Sequence, residues 1–381
     1  MFILLFNKSE KNNFKLSSFS FSSFLTSISS AELIEVRKDE KLNEESLKLF
    51  FSDLLKSKIN NFSLKQFSGG HANLTYLISV NDKEYVLRRP PLGPIAPSAH
   101  DMKREHKVQR SLHNVFPLVP NSIYFSDDVS IVGSQFHIIE RKKGFVIRKE
   151  FPDFLPLNLN FINQMSDQMI KILSDLHKID PIKVGLEKLG RPEGFVERQL
   201  LGWEKRWKLA TENTSLNTIF DDLLENLKLN IPKSKIVSII HNDFKLDNIM
   251  WNNSNFLSPE AIFDWDMCTL GDPLMDLGHM LNYWIDKEDD KDAKLITSMP
   301  TTGNKILFPL KSEIIKLYSK YTGFDVKNIN WYYAFGAFKL SVILQQIYVR
   351  YLKGQTKDKR FANFNKRIDA LIKRANGINL N

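Results

Sequence analysis

Residues 241–266 read HNDFKLDNIMWNNSNFLSPEAIFDWD. The stretch opens with His241, Asp243 and Asn248 in the spacing H-x-D-x-x-x-x-N, directly after the apolar run Ile236–Ile240. A second short apolar run, Ala261–Phe263, ends on Asp264. Both runs have the length and composition of buried strands. Each therefore delivers a polar group at its end: first a carboxylate with a carboxamide five residues on, then a second carboxylate.

H-x-D-x-x-x-x-N after a strand is the spacing of a kinase catalytic loop. Phosphoryl transfer needs a carboxylate that orients and deprotonates the accepting hydroxyl, and oxygen ligands that help hold magnesium. Asp243 fits the first role, Asn248 and Asp264 the second, and Lys245 can neutralise charge on the transferred group. Asp266 competes with Asp264, because strand alternation places the two on the same side. His241 and Asp247 read as braces of the loop.

Upstream, Phe62–Phe67, Thr75–Val80 and Glu84–Arg89 alternate as short strands. They are separated by Ser68-Gly69-Gly70 and by Asn81-Asp82, both turn signals. Gly69 and Gly70 can let backbone N–H groups approach phosphate oxygens; the competing reading is a plain hairpin turn, with His71 an exposed loop residue. Tyr85-Val86-Leu87-Arg88 is similar to the V-A-I-K strand of protein kinases, with arginine where a lysine grips the phosphates. The arginine fork suits that task, and Arg89 points to the opposite face. Met102–Leu112 follows as a helix whose Glu105 shares a face with Met102, Val108 and Leu112. A carboxylate on that inward side wants a cation, and Arg88 is the candidate; Lys103, Arg104 and Lys107 read as solvated charges. Gly133–Arg141 reads as another strand.

Beyond Gly144 the pattern turns helical, from Phe161–His177 onward, and the charged, Pro- and Gly-containing segment Asp286–Asn304 reads as a loop or lid. The layout expected is an extension or targeting segment over 1–40, a sheet-bearing lobe over 41–143 and an α-rich lobe over 144–381. The first thirty residues are rich in Ser and Phe and contain no arginine, so disorder competes there with a mitochondrial transit peptide. The 381 residues are enough for two cores.

The formal net charge of +9 suits an anionic ligand but is spread along the chain, which speaks against nucleic acid. One cysteine, Cys268, excludes an internal disulfide. The opening apolar run Met1–Phe6 falls far short of the roughly 18 residues a membrane helix needs, so no membrane partner is expected. The compartment that follows is the cytoplasm, or the mitochondrial matrix if the N-terminus is a transit peptide.

With these residues assembled, the chain resembles the aminoglycoside phosphotransferase family over about residues 60 to 375. The marks are the 241–248 loop, FDWDMCTLGDPLMDLG at 263–278 and the Arg88 strand with its glycine loop. The resemblance implies an α+β, two-lobed protein-kinase-like fold: a small antiparallel-sheet lobe with one helix, and a larger α-rich lobe. It implies transfer of phosphate from ATP, with Mg2+, to the hydroxyl of a small molecule. No activation segment separates Asp264 from Gly271-Asp272-Pro273, which argues against a protein acceptor. LRRPPLGPIAPSAHDMKRE (87–105), GRPEGFVERQLLGW (190–203) and FKLSVILQQIYVRYLKGQT (338–356) are similar to the branch of kinase domains fused to acyl-CoA dehydrogenases. That branch implies a hydroxyacyl-CoA or related acceptor, with Trp203, Trp207, Arg198, Arg206, Tyr348 and Arg350 either lining its pocket or simply packing. The alternatives are an aminoglycoside- or choline-type kinase and a catalytically silent nucleotide-binding module.

Overall fold

The computed structural model describes residues 33–68, 73–93, 100–212, 214–233, 236–297, 299–300, 308–356 and 358–380. Gly69, Gly70 and His71 lie outside the described residues, as do 1–32, residue 298 and 301–307 of the expected lid.

The N-terminal lobe is built on an antiparallel sheet of six strands: β1 (Leu33–Ile34), β2 (Phe62–Phe67), β3 (Leu74–Val80), β4 (Lys83–Arg89), β5 (Ser122–Ser126) and β6 (Phe136–Glu140), in the order β1-β2-β3-β4-β6-β5. Asn81, at φ 52°, makes the tight β3–β4 turn, a conformation Asn tolerates better than most residues. Helix α1 (Glu44–Leu55) begins at Asn43, whose side chain accepts from Ser46 N. It lays Leu47 and Phe51 against Tyr76, Ile78 and Tyr85. Helix α2 (Met102–His113) is capped by Asp101, which accepts from Arg104 N at 3.0 Å.

Two expectations change here. Residues 33–40, assigned to the N-terminal extension, instead form β1 and a 3-10 turn over Lys38–Glu40. They are held there by Arg37, whose N donates to Gln66 Oε1 and whose Nη2 donates to Ser68 O. The strand read over 133–141 pairs only over 136–140; its first residue, Gly133 at φ 81°, instead closes a helical turn, α3 (Val129–Val132).

After the short strand β7 (Phe145–Val146), the second lobe comprises α4 (Leu159–His177), α5 (Phe195–Thr211) and α6 (Asp221–Leu229). Four short strands follow in two antiparallel pairs, β8 (Ser238–Ile240), β9 (Ile249–Trp251), β10 (Pro259–Ile262) and β11 (Thr269–Gly271). Strand β8 pairs with β11, and β9 with β10 and β7. The chain ends in α7 (Leu274–Tyr283), α8 (Ala293–Ile296), α9 (Lys311–Thr322), α10 (Ile329–Leu352) and α11 (Phe364–Gly377). Among the described residues no helix is long and apolar enough to cross a membrane.

Helix α10 is the axis of this lobe, apolar over most of its circumference, with Ile329, Trp331, Phe335, Phe338 and Leu344 all buried. It can lie close to α7 because both helices carry a glycine at the crossing. A Cβ on Gly278 would fall 2.5 Å from Tyr332 C, and one on Gly336 would fall 2.7 Å from Asn282 Nδ2. Gly278→Ala is accordingly expected to destabilise the protein by roughly 1–3 kcal/mol in urea unfolding, through forced separation of α7 and α10. Gly202→Ala, on the exposed side of α5 with nothing within 4 Å of the added carbon, is expected to be neutral or stabilising by up to about 1 kcal/mol.

Candidate active site

The loop between β8 and β9 is shaped by one buried carboxylate. Asp276, in the first turn of α7, accepts the backbone N–H of His241 on Oδ2 at 2.6 Å and that of Asn242 on Oδ1 at 2.6 Å. His177 of α4 reaches the same Oδ2 at 3.2 Å. Burial alone would raise the Asp276 pKa, but the bond to His177 and the proximity of His177 and His241 hold it below the ordinary value. Asn242 is thereby kept at φ 68°, a conformation that costs energy for a non-glycine residue unless its surroundings impose it. The turn that follows aims Asp243 outward.

His241 braces the same turn, as its sequence position suggested. Its Nε2–H donates to Phe263 O at 2.9 Å, its Nδ1 accepts from Asp243 N at 3.3 Å, and its ring lies 4.8 Å from that of Trp265.

Asp243, Lys245 and Asn248 converge. Lys245 Nζ is 2.9 Å from Asp243 Oδ2, while Asn248 Nδ2 donates to the Asp243 carbonyl at 2.9 Å and to Oδ2 at 3.2 Å. With its Nδ2 so engaged, Asn248 has its Oδ1 left for a cation. Burial would lower the Lys245 pKa, but the Asp243 carboxylate outweighs it and holds the ammonium charged.

Asp264 is brought beside this group by the β9–β10 hairpin, where Phe263 N donates to Asn248 O at 2.9 Å. The chain turns left-handed at Asp264, φ 69°, and enters a 3-10 turn over Trp265–Met267. Strand alternation therefore does not extend through it, and Asp266 is not on the Asp264 side by that rule. The Asp266 carbonyl instead accepts from Arg104, and burial beside Asp264 raises the pKa of its carboxyl.

Arg88 meets its expected partner, Glu105, and also Asp264. Its Nε lies 3.3 Å from Glu105 Oε1 and its Nη2 3.6 Å from Asp264 Oδ1. Glu105 is fully buried, and its second oxygen lies 3.7 Å from His137 Nε2. Burial lowers the His137 pKa well below the ordinary value, so this imidazole is neutral. Burial pushes Glu105 up to about 7 against the pull of Arg88, and its oxygens are close to Arg88 without a well-aligned hydrogen bond. Arg89 points to the other face, as alternation requires, and donates to Val132 O.

Arg88, Asn248 and Asp264 line a cleft of about 650 Å³ between β4, β6 and the second lobe, with Val86, Ile139 and Met250 as apolar walls, a size typical of small-molecule sites. A larger hollow of about 810 Å³, between α2 and β5, is lined by none of the converging groups. Asn248 Oδ1 and the Asp264 carboxylate are hard oxygen donors suited to Mg2+, which usually takes one or two protein ligands and completes its shell with phosphate and water. The described residues hold no cluster of three or more His, Cys, Asp or Glu that could hold a metal ion.

Three members of the site were not identified as such from sequence. Arg104, read as a solvated charge, bridges the lobes through the carbonyls of Leu189, Asp266 and Cys268. Asp247, read as a brace, lines the cleft with Arg148, and burial raises its pKa. Asp276 had a local signal, an acid enclosed by Leu274, Met275 and Leu277. Of the expected acceptor-pocket residues, Trp207 is core, packed on Phe220 and Phe338. Arg198 is tied to the Arg191 and Glu193 carbonyls, and Trp203 lies under Arg206.

A sequence profile described as the phosphotransferase enzyme family matches residues 63–296, more than half of the chain. Acyl-CoA dehydrogenase family member 11 of Gallus gallus is 28% identical over 357 residues, covering 89% of this chain and 44% of that protein. Family member 10 of Mus musculus is 28% identical over 330 residues, covering 84% and 30%. The chain thus spans less than half the length of these curated relatives. A proposed aminoglycoside phosphotransferase from Ralstonia eutropha superposes with a TM-score of 0.74 at 25% identity, covering 89% of this chain and all of that one. APH(4)-Ia in complex with ADP and hygromycin B shares the fold, with a TM-score of 0.54 at 14% identity, covering 88% and 100%.

Because the folded protein holds the Glu105 proton more tightly than an unfolded chain does, this group makes stability fall as pH rises from its ordinary value of 4.5 to about 7. Urea unfolding at pH 5 and pH 7.5 should show Glu105→Gln gaining on wild type by on the order of 1–3 kcal/mol between the two. Parallel pH dependences would mean that Glu105 is ionised throughout.

Proposed function

The chain belongs to the phosphotransferase enzyme family, and on that premise we propose that it transfers the γ-phosphoryl group of ATP, with Mg2+, to a hydroxyl of a small acyl molecule such as a hydroxyacyl-CoA. The observation that carries the reading is that Asn248, tied to Asp243, and Arg88, tied to Glu105 and Asp264, line one cleft. Nucleotide use is supported by the ADP complex of a protein with the same fold. The acyl acceptor is supported by relatives bearing the name acyl-CoA dehydrogenase.

In this mechanism Asp243 orients the acceptor hydroxyl and takes its proton as the oxygen attacks. Asn248 holds the carboxylate through Nδ2, which sets its direction. Lys245 offsets charge on the transferred group. Arg88, anchored by Glu105 in the dry interior, presents its fork to nucleotide phosphates, and Gly69 and Gly70 offer backbone N–H groups to the same end. Asn248 and Asp264 would hold the metal, which neutralises phosphate charge when bound.

Purified protein incubated with magnesium ATP and a panel of hydroxyacyl-CoA, amino-alcohol and sugar acceptors is expected to yield a phosphorylated acyl product by mass spectrometry. Asp243→Asn should lower kcat by roughly 100- to 10,000-fold, and Asp264→Ala should abolish the rise in Tm that magnesium ATP produces in wild type. Turnover intact in Asp243→Asn would refute the assignment of the base, and indifference of wild type to nucleotide would favour a silent module.

A further inference from the structure

Helices α5 and α10 place two cations on one indole. The Arg206 guanidinium carbon lies 4.4 Å from the Trp203 ring centroid, and Lys339 Nζ lies 5.7 Å from it. Lys339 is only 6% exposed, and the hydrogen bond found for it, to Asn242 O, is long at 3.4 Å. Among the described residues no carboxylate forms an ion pair with either cation. One cation on an aromatic face is ordinary. Two cations at one ring repel each other, and burying a lysine without a counter-ion is costly.

The position of the pair is informative. Asn242 immediately precedes Asp243, so Lys339 lies beside the loop that carries the proposed base, on the α10 side, whereas Arg88 and Asp264 line the nucleotide cleft. The carboxylates of Asp243 and Asp276 act on Lys339 from a distance, while burial and Arg206 lower its pKa. Lys245 is already paired with Asp243, and His279 is held neutral by burial beside these cations.

We infer that Lys339 and Arg206, over Trp203, form a subsite for an anionic oxygen group of the acceptor, which supplies the missing counter-charge next to the hydroxyl that is phosphorylated. This rests on the phosphotransferase reading above and narrows it: the acceptor carries a carboxylate or phosphate, and cationic amino alcohols are repelled. The two sources share one chemistry, an anionic oxygen that accepts from an ammonium and a guanidinium.

Binding without turnover tests the subsite apart from the reaction. Protein loaded with magnesium AMP-PNP is titrated calorimetrically with a short hydroxycarboxylate, its CoA thioester, its uncharged methyl ester and an amino alcohol of the same length. Lys339→Met is expected to weaken the anionic ligands by at least about tenfold and to leave the methyl ester within about twofold, with Lys339→Arg restoring most of the loss. Arg206→Met, on the exposed rim, should act in the same direction by a smaller factor. A penalty on the free acid assigns the anion to the carboxylate; a penalty on the thioester alone assigns it to the phosphates of CoA. Equal penalties on charged and uncharged ligands, no penalty on either, or wild type that binds no anionic probe would overturn the subsite. Absence of phosphorylated product from a wild type that still binds these anions through Lys339 would count against the proposed reaction and leave the subsite standing.

Discussion

The carboxylate of Asp276 is the constraint on which the candidate site depends. Buried to 1% exposure, it takes two backbone N–H groups from adjacent residues and one imidazole from a distant helix. A carboxylate so placed is stable only with such partners. The bargain holds Asn242 in a left-handed conformation, points Asp243 out of the loop and ties α4, α7 and the β8–β9 loop into one body. Lys245 and Asn248 then converge on Asp243 with little freedom left to lose, which is the preorganisation that phosphoryl transfer requires.

Helix α2 performs the complementary task between the lobes. Its Val108 and Leu112 pack into the core of the second lobe, while Glu105 turns toward the sheet and meets Arg88. Arg104, one residue away and on another face, is fastened to the carbonyls that follow Asp264. One helix thus sets the distance between the Arg88 strand and the Asp264 turn. Burial presses against ionisation of Glu105 while Arg88 favours it, so the clamp works near the balance of two large opposing effects.

Much of this was legible in residues 241–266 and 83–112. The strand spans, the α2 helix, the direction of Arg88 against Arg89 and the pairing of Arg88 with Glu105 all follow from alternation and helical periodicity, which depend on neighbours a few residues away. Reading failed where a residue's partner is remote or its backbone irregular. Asp264 leaves the strand for a left-handed turn, so alternation says nothing of Asp266. Residues 33–40 carry too few apolar positions to show a strand, yet Gln66 and Ser68 hold them at the sheet edge.

By itself, then, the sequence determined the fold class, the reaction family and the identity of the groups around Asp243. Those signals are short-range: a strand end, a loop of fixed length and a helix face. Only the tertiary structure decided which charges are solvated. Arg104 and Lys339 are both cations on helices, and local spacing names the partners of neither. Their environments are set by chain segments far away, Asp266 and Cys268 for one, Asn242 and Trp203 for the other. The energy of a charge depends on what packs against it, and that is a property of the folded body rather than of local spacing.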